Sequence, residues 1–195
     1  RPIIGGDPEL YYRNKMDYTF ANRRWLTPEE IEGSQPLDYE GLGFHKSGAF
    51  DKVIDLDTCH LQVNISNEIR NATKTWALDN GLTFYDHRNH EGQLRNLIIR
   101  TTRAGEVMVI LVTATSKKDI IDSFEELLKT SFPQIHHLIW MVNQKKNDAL
   151  FDIDFSIIFG SGYLTEKLGE TQYKIGPKSF FQTNPYQAEK LFEEV

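Results

Sequence analysis

The sequence predicts an α+β fold in which an antiparallel sheet carries helices on one face. Short strand-like segments are joined by tight turns, as at His45–Gly48 and Arg103–Gly105, and such turns are typical of hairpins. Two segments with apolar residues at helical spacing, Ser66–Asn80 and Lys118–Thr130, are inserted between the strands. A hairpin-built sheet with few helices packs those helices together on a single face.

Each predicted strand is short and rich in apolar, aromatic or β-branched residues. The first one alternates polar and aromatic side chains, which indicates that one of its faces is polar. In chain order the strand segments are Leu10–Ala21, Asp38–Phe44, Lys52–Leu56, Leu94–Thr102, Glu106–Thr115, Ile135–Asn143, Phe155–Phe159 and Gln172–Ile175.

The helices are predicted from apolar stripes and from capping residues. Ser66–Asn80 and Lys118–Thr130 each place their apolar residues three and four positions apart. Thr27–Glu30 combines an N-cap residue, a proline and acids, which predicts a short helical turn. Asn184 followed by Pro185 predicts the N-cap and the first residue of a last helix.

Composition restricts the function classes. A chain of 195 residues, 39% hydrophobic, fits one domain or one domain with a small extension. The net charge of -6 argues against bulk electrostatic binding of nucleic acid, but segment 88–103 holds four arginines and one acid, so a local basic face is possible. No apolar run approaches the roughly 18 residues of a membrane span. The single cysteine, Cys59, excludes an internal disulfide and predicts a reducing, cytoplasmic location.

The two ends of the chain predict a piece of a larger protein. Residues 1–9 lack an initiator methionine and are rich in glycine and proline, so they are interpreted as a linker. A helix of about ten residues at the other end is marginal when nothing packs on it. The expected organisation is a linker over 1–9, a central α+β domain over 10–176, and the truncated start of a second domain over 177–195.

Motifs of common enzymes are missing from the sequence: it has no Walker loop, no G-x-G-x-x-G and no G-x-S-x-G. His87 and His90 share a polar loop that could bind a metal, although solvated loop histidines are the simpler interpretation. A nucleophile built on Cys59 and His60 is disfavoured because adjacent strand residues point to opposite faces. A buried structural thiol is the alternative for Cys59.

Cations, aromatics and amides recur in a pattern that indicates RNA binding. Cations contact phosphates, aromatic rings stack unpaired bases, and amides read base edges. The alternative is a set of solvated surface cations. The predicted RNA contacts are Arg13, Lys15, His45, Lys46, Arg95, Arg100 and Lys178. Four of these are expected to share one face: Arg13, Lys15, Lys46 and Lys178.

Segments spread over nearly the whole chain carry a more specific resemblance. They are Tyr12–Met16, Gly43–Gly48 with Val53–Cys59, Leu94–Arg100 and Ser179–Asn184. In this order they resemble the RNA uracil-5-methyltransferases, the family that makes 5-methyluridine in ribosomal and transfer RNA. Each segment is weak evidence by itself, but the ordered set is specific.

The resemblance implies a monomeric protein of three parts: an oligonucleotide-binding barrel, a central α+β domain and a Rossmann-like domain that binds S-adenosyl-L-methionine. This chain would be the central, RNA-recognising domain with the first helix of the methyltransferase domain attached. The family's chemistry uses a cysteine thiolate that attacks uracil, followed by methyl transfer and proton removal. The family's cofactor and nucleophile motifs do not occur in the sequence, so the chain is expected to be inactive alone.

Three site residues are implied by the resemblance. Gln182 matches a glutamine that contacts the methyl donor, and Phe180 matches a phenylalanine that packs at the pocket for the flipped base. Cys59 matches the fourth ligand of a 4Fe-4S cluster in the members that have one, but one cysteine cannot hold a cluster, so no metal is expected here. Two other functions stay open: a structural spacer domain without RNA contacts, and an unrelated enzyme that uses the His87–His90 loop.

Overall fold

The computed structural model describes residues 5–194, which form a seven-stranded sheet, a two-stranded sheet and four helices. The predictions for residues 1–4 and for Val195 lie outside the described residues. In chain order the elements are β1 Lys15–Ala21, α1 Pro28–Glu32, β2 Gly41–Lys46, β3 Ala49–Asp55, α2 Ile65–Asp79, β4 Leu94–Thr101, β5 Val107–Thr113, α3 Lys118–Ser131, β6 His137–Val142, β7 Phe155–Phe159, β8 Leu164–Leu168, β9 Thr171–Ile175 and α4 Pro185–Glu193.

The large sheet has the strand order β3-β2-β1-β4-β5-β6-β7. The α+β class is confirmed, and the sheet is mostly antiparallel, as predicted. The pair β5–β6 is the exception, because these two strands run parallel. A parallel pair needs a crossover connection, and α3 supplies it. The antiparallel pairing that was predicted for the sheet fails at this one pair.

The core between the sheet and the helices follows the alternation of the strands. Met16, Tyr18 and Phe20 of β1 point to the side on which α2 and α3 pack. The two helices meet there through the rings of Trp76 and Phe124, whose centroids lie 4.8 Å apart. Both apolar stripes predicted for these helices are thus buried, as expected for amphipathic helices.

A second core on the opposite face of the sheet corrects the expectation of one covered face. Ile98, Ile110 and Met141 pack there against Leu164 and Ile175 of the β8–β9 pair. Strands β4 and β5 are consequently buried along their whole length. The continuous apolar run of β5 is typical of a strand that is covered on both sides, whereas β4 also buries Arg95, Asn96 and Arg100.

Strand β8 was missed by the sequence analysis, and helix α4 was expected to have no packing partner. In the structure Ala188 of α4 is buried, and Glu189 accepts hydrogen bonds from Arg103 Nη1 (2.5 Å) and from the Gly169 backbone (2.6 Å). These contacts anchor α4 to the β4–β5 and β8–β9 turns. Within residues 5–194 no helix is long and apolar enough to cross a membrane.

The first strand is shorter than predicted because the chain before it has other partners. The backbone amides of Tyr11 and Arg13 donate to the carbonyl oxygens of His60 and Leu61, each at 2.7 Å. The sheet pairing therefore begins only at Lys15. Residues 11–14 form a connecting segment beside the loop that precedes α2.

Candidate functional site

The clearest candidate site is a cavity of about 360 Å³ on the face of the sheet that also carries the β8–β9 pair. It opens where β1 and β4 lie beside segment 177–183. Lys15 and Arg100 occupy directly paired positions on these strands, so their side chains share a face. The lining residues are Lys15, Ile98, Arg100, Met141, Leu150, Phe151, Pro177, Lys178, Ser179, Phe180, Phe181 and Thr183.

Two buried side chains and one backbone amide attach this segment to the strands. The Asn14 backbone amide donates to the Thr183 carbonyl oxygen, and Asn14 Nδ2 donates to the Gln182 carbonyl oxygen, both at 2.9 Å. Arg100 Nη2 donates to the Ser179 carbonyl oxygen at 2.7 Å. Because Asn14 and Arg100 are buried, they act as internal anchors for a segment in which Lys178, Phe180 and Gln182 reach solvent.

The aromatic pair in this segment divides between solvent and core. Phe180 is 86% exposed. Phe181 packs against the second core, and its ring centroid lies 5.6 Å from that of Tyr173. An exposed phenylalanine at the rim of a cavity is an apolar surface that a flat ligand can cover. Phe180 is therefore the solvent-facing member of the pair, and Phe181 belongs to the second core.

The two lysines at the cavity, Lys15 and Lys178, differ in the contacts that their ammonium groups make within the chain. Lys178 Nζ donates to the carbonyl oxygens of Phe151 (3.2 Å) and Ile153 (2.9 Å). Lys15 Nζ lies 3.8 Å from a carboxylate oxygen of Asp17, which is a loose ion pair. Lys15 is therefore more available to a bound anion than Lys178.

The expectation that Arg95 and Arg100 are surface cations was wrong. Arg95 is 1% exposed; its guanidinium stacks on Tyr85 at 4.2 Å, and Nη2 donates to Asp148 Oδ1 at 2.6 Å. It also donates to the backbone carbonyl oxygens of Asn143, Lys145 and Asn147. Arg100 is 6% exposed, and burial lowers its pKa. Guanidinium groups that are buried and bonded in this way hold the chain together instead of facing solvent.

Arg13 and Lys46 do not line this cavity. Arg13 is half-buried, and its Nε donates to the Lys15 carbonyl oxygen at 3.4 Å. The Lys46 ammonium lies 4.5 Å from the centre of the Trp25 ring. Of the four cations expected on one face, the structure brings Lys15 and Lys178 together at the cavity. RNA contact by any of them stays a prediction.

The sequence paired His87 with His90 as possible metal ligands, but the structure places His87 beside His45. The ring of His87 lies 5.2 Å from that of His45, and Asp148 completes a cluster with them. Burial lowers the pKa of His87. Sequence inspection missed this cluster because its members lie on different elements, and it considered His90 instead because that residue shares the loop.

Cys59 and Gln182 have roles that only the family resemblance implies. Cys59 is a half-buried free thiol; its backbone amide donates to Asn67 Oδ1 at 2.8 Å, and its carbonyl accepts from Asn67 Nδ2 at 3.2 Å. Gln182 is exposed beside its anchor, Asn14. A cluster ligand at Cys59 and a methyl-donor contact at Gln182 remain predictions.

Comparison with known proteins finds relatives along the whole chain, although no protein-family model matches the sequence. The chain is 41% identical over 196 residues to a protein of Bacteroides thetaiotaomicron that is named an uncharacterized RNA methyltransferase. It is 41% identical over 201 residues to a protein of Porphyromonas gingivalis with the same name. Each alignment covers 98% of this chain and 43% of the relative, so the chain spans less than half the length of these relatives.

The structure of this chain is also similar to part of a solved RNA methyltransferase structure. The tRNA (uracil-54, C5)-methyltransferase of Pyrococcus abyssi, in complex with S-adenosyl-L-homocysteine, superposes with a TM-score of 0.73 at 26% sequence identity. The match covers 99% of this chain and 42% of that one. The resemblance to RNA methyltransferases is thus confirmed: the chain is homologous throughout to a segment of such proteins.

Proposed function

We propose that this chain is the central, substrate-recognising domain of an S-adenosyl-L-methionine-dependent enzyme that forms 5-methyluridine in ribosomal or transfer RNA. The names of the relatives and of the structural neighbour support the reaction class. One observation carries the recognition role: Lys15 of β1 and the exposed Phe180 line one cavity, and the segment that carries Phe180 is fixed by buried anchors.

This cavity has the two groups that single-stranded RNA needs. A cation neutralises a phosphate, and an aromatic ring stacks on a base that has left its helix. Lys15 supplies the first, and Phe180 supplies the second, in agreement with a pocket for a flipped uracil. Because the net charge is -6, binding depends on this local arrangement and not on the overall charge of the chain.

We place the methyl-transfer groups outside this chain, in the remaining length of a complete enzyme. Gln182, exposed next to the anchored backbone at Asn14, is the residue of this segment that we assign to the methyl donor. Cys59 is given no nucleophilic role, because it packs against the helix-side core and its backbone is held by Asn67. One cysteine cannot hold a 4Fe-4S cluster, so a cluster bound through Cys59 would need three further cysteines from the remaining length of a complete enzyme. A cytoplasmic, monomeric enzyme remains part of the proposal.

The recognition role is tested by fluorescence anisotropy of the protein with labelled tRNA and rRNA stem-loops at several salt concentrations. Lys15→Ala should weaken binding and reduce the slope of log affinity against log salt by about 0.7–0.9, the value of one phosphate contact. Lys118→Ala is the matched control, because it removes the same charge from an 82% exposed side chain on α3. Equal effects of the two substitutions would contradict an RNA site at the cavity.

A spacer domain without RNA contacts is the second candidate, and one observation favours it. Arg95, Arg100 and Lys178 already donate to carbonyl oxygens within the chain, so they are not free cations. The same titration separates the two functions. A spacer shows no saturable binding to either RNA, whereas a recognition domain binds and loses affinity when Phe180 is replaced by alanine.

A further inference from the structure

Three side chains of the kinds that bind metals meet outside the Lys15–Phe180 cavity. His45 comes from β2, His87 from the loop before β4, and Asp148 from the loop between β6 and β7. Each offers one ligand atom, and these atoms all lie within 4.8 Å of one another. The cluster is independent of the function proposed above.

The loop that carries His87 is held in place by several hydrogen bonds. Asp86 accepts from Asn22 Nδ2 at 3.0 Å and from the backbone amides two and three residues further on. His87 Nε2 lies 3.4 Å from the Phe20 carbonyl oxygen, and the ring of Tyr85 contacts it edge-on at 5.2 Å. A ring nitrogen that donates to a carbonyl leaves the other ring nitrogen unprotonated, which is the form that binds a metal.

Asp148, like His87, is oriented by a hydrogen bond to another part of the chain. Arg95 Nη2 donates to Asp148 Oδ1 at 2.6 Å, which leaves the second carboxylate oxygen for another partner. Arg95 also fixes the backbone of the same loop through Asn143 and Asn147. A carboxylate with one oxygen held by a buried guanidinium corresponds to the outer-shell bonds that orient metal ligands in known sites.

We propose that His45, His87 and Asp148 bind one late first-row divalent metal ion, for which Zn²⁺ is the probe. Imidazole and carboxylate groups are its usual nitrogen and oxygen ligands, and three protein ligands leave a fourth position open. Two ligands of a tetrahedral zinc are about 3.4 Å apart, so no pair of ligand atoms has to close by more than about 1.4 Å. The exposed side chains of His45 and Asp148 can rotate to this spacing without movement of the core.

A bound ion would join three parts of the chain that are far apart in sequence. It would connect β2, near one edge of the sheet, to the loop that joins β6 and β7, the two strands at the other edge. Metal binding to the folded state alone also stabilises that state by mass action. The proposal therefore predicts an increase in the melting temperature with Zn²⁺ in addition to binding itself.

Calorimetric titration with Zn²⁺ and absorption spectroscopy with Co²⁺ test the site in the purified protein. The expected result is one ion per chain and a rise in melting temperature with Zn²⁺. His45→Ala and His87→Ala should each lower the affinity by about tenfold or more. His90→Asn is the matched control, because His90 lies in the same loop outside the cluster and asparagine tolerates its positive φ of 61°.

Circular dichroism shows whether each variant is folded. Asp148→Asn gives an additional test, because its amide oxygen can still accept the bond from Arg95 while the negative charge is lost. The proposal is overturned if the wild-type protein binds Zn²⁺ no more tightly than the His45→Ala variant. It is also overturned if His90→Asn lowers the affinity as much as His87→Ala, because the ion would then be held elsewhere in the loop.

Discussion

Replacement of Arg95 by methionine is expected to destabilise the protein strongly, because this arginine is an internal connector. Its guanidinium donates to three backbone carbonyl oxygens in segment 143–147 and to Asp148, and it stacks on Tyr85. Methionine keeps most of the apolar stem and removes every one of these polar contacts. The carbonyl oxygens of the loop then have to find water or remain unsatisfied.

The expected loss in the free energy of unfolding is about 3 kcal/mol. Hydrogen bonds from a charged donor contribute roughly 1.5–3 kcal/mol each, and breaking a fully buried ion pair costs about 3–5 kcal/mol. Two features reduce the expected loss: Asp148 is 40% exposed and can be hydrated, and Arg95 Nε finds no partner among the described residues. The lower end of the range is therefore the appropriate value.

Urea denaturation followed by circular dichroism measures this loss. Arg13→Met is the control, because Arg13 is half-buried and its guanidinium makes one long bond of 3.4 Å to the residues that the structure describes, so its replacement should lower the free energy of unfolding by less than about 1 kcal/mol. Arg95→Lys should fall between the two, because lysine keeps the charge but lacks the planar fork. If Arg95→Met costs no more than Arg13→Met, the assignment of Arg95 as the connector of this loop is refuted.

Three further outcomes are expected. Gly43→Ala should lower the free energy of unfolding by about 1–3 kcal/mol or more, because a Cβ there would lie 1.8 Å from a carbonyl oxygen of β3. An unchanged midpoint of urea denaturation would contradict the close pairing of β2 with β3. Phe180→Ala should change stability by less than about 0.5 kcal/mol but weaken RNA binding by about 1–3 kcal/mol, whereas Phe50→Ala, at a 69% exposed ring on β3, should leave binding unchanged. Hydrogen bonds, first from Asn22 and then from loop amides, hold the pKa of Asp86 below its usual range. The ionised Asp86 side chain therefore stabilises the protein above about pH 4, and this stabilisation is lost as the pH falls further. Asp86→Asn should flatten that part of the stability–pH curve, and an unaltered curve would show that other groups cause the acid sensitivity.

Local signals in the sequence predicted the local structure well. Thr27 forms a capping box with Glu30, and Asn184 caps α4 by accepting from the Gln187 backbone amide at 3.0 Å. The bounds of Phe155–Phe159 agree with β7. These features depend on neighbouring residues, so the sequence around each position is sufficient to predict them.

Features that depend on distant contacts were predicted less well. The parallel pairing of β5 with β6 follows from the α3 crossover, which could have been inferred from a helix lying between two buried strands. Strand β8 alternates but contains the buried Glu166, which is stable there because Arg103 pairs with it. A charged residue inside a short segment does not indicate a strand until its partner is known.

Dependence on distant contacts also explains why Arg95 and Arg100 were wrongly expected at the surface of the candidate site. An arginine in an apolar run has two interpretations, an edge cation or a buried connector, and only the tertiary contacts decide between them. Arg95 and Arg100 were expected to contact RNA, and the structure buries both. Neighbouring Phe180 and Phe181 likewise could not be told apart from the sequence, because only the second core decides that Phe181 is packed and Phe180 is exposed.

The positions of these two arginines suggest why the candidate sites lie where they do. The β8–β9 pair covers the second face of the sheet only over its middle strands, and on β1 the side chains of that face become polar, with Lys15 and Asp17. Arg100 holds the segment that presents Phe180, and Arg95 holds the loop that presents Asp148. Each buried arginine therefore keeps a solvent-facing side chain in place beside the uncovered part of the sheet. Loss of either arginine would affect binding through the geometry of its segment, in addition to the change in charge.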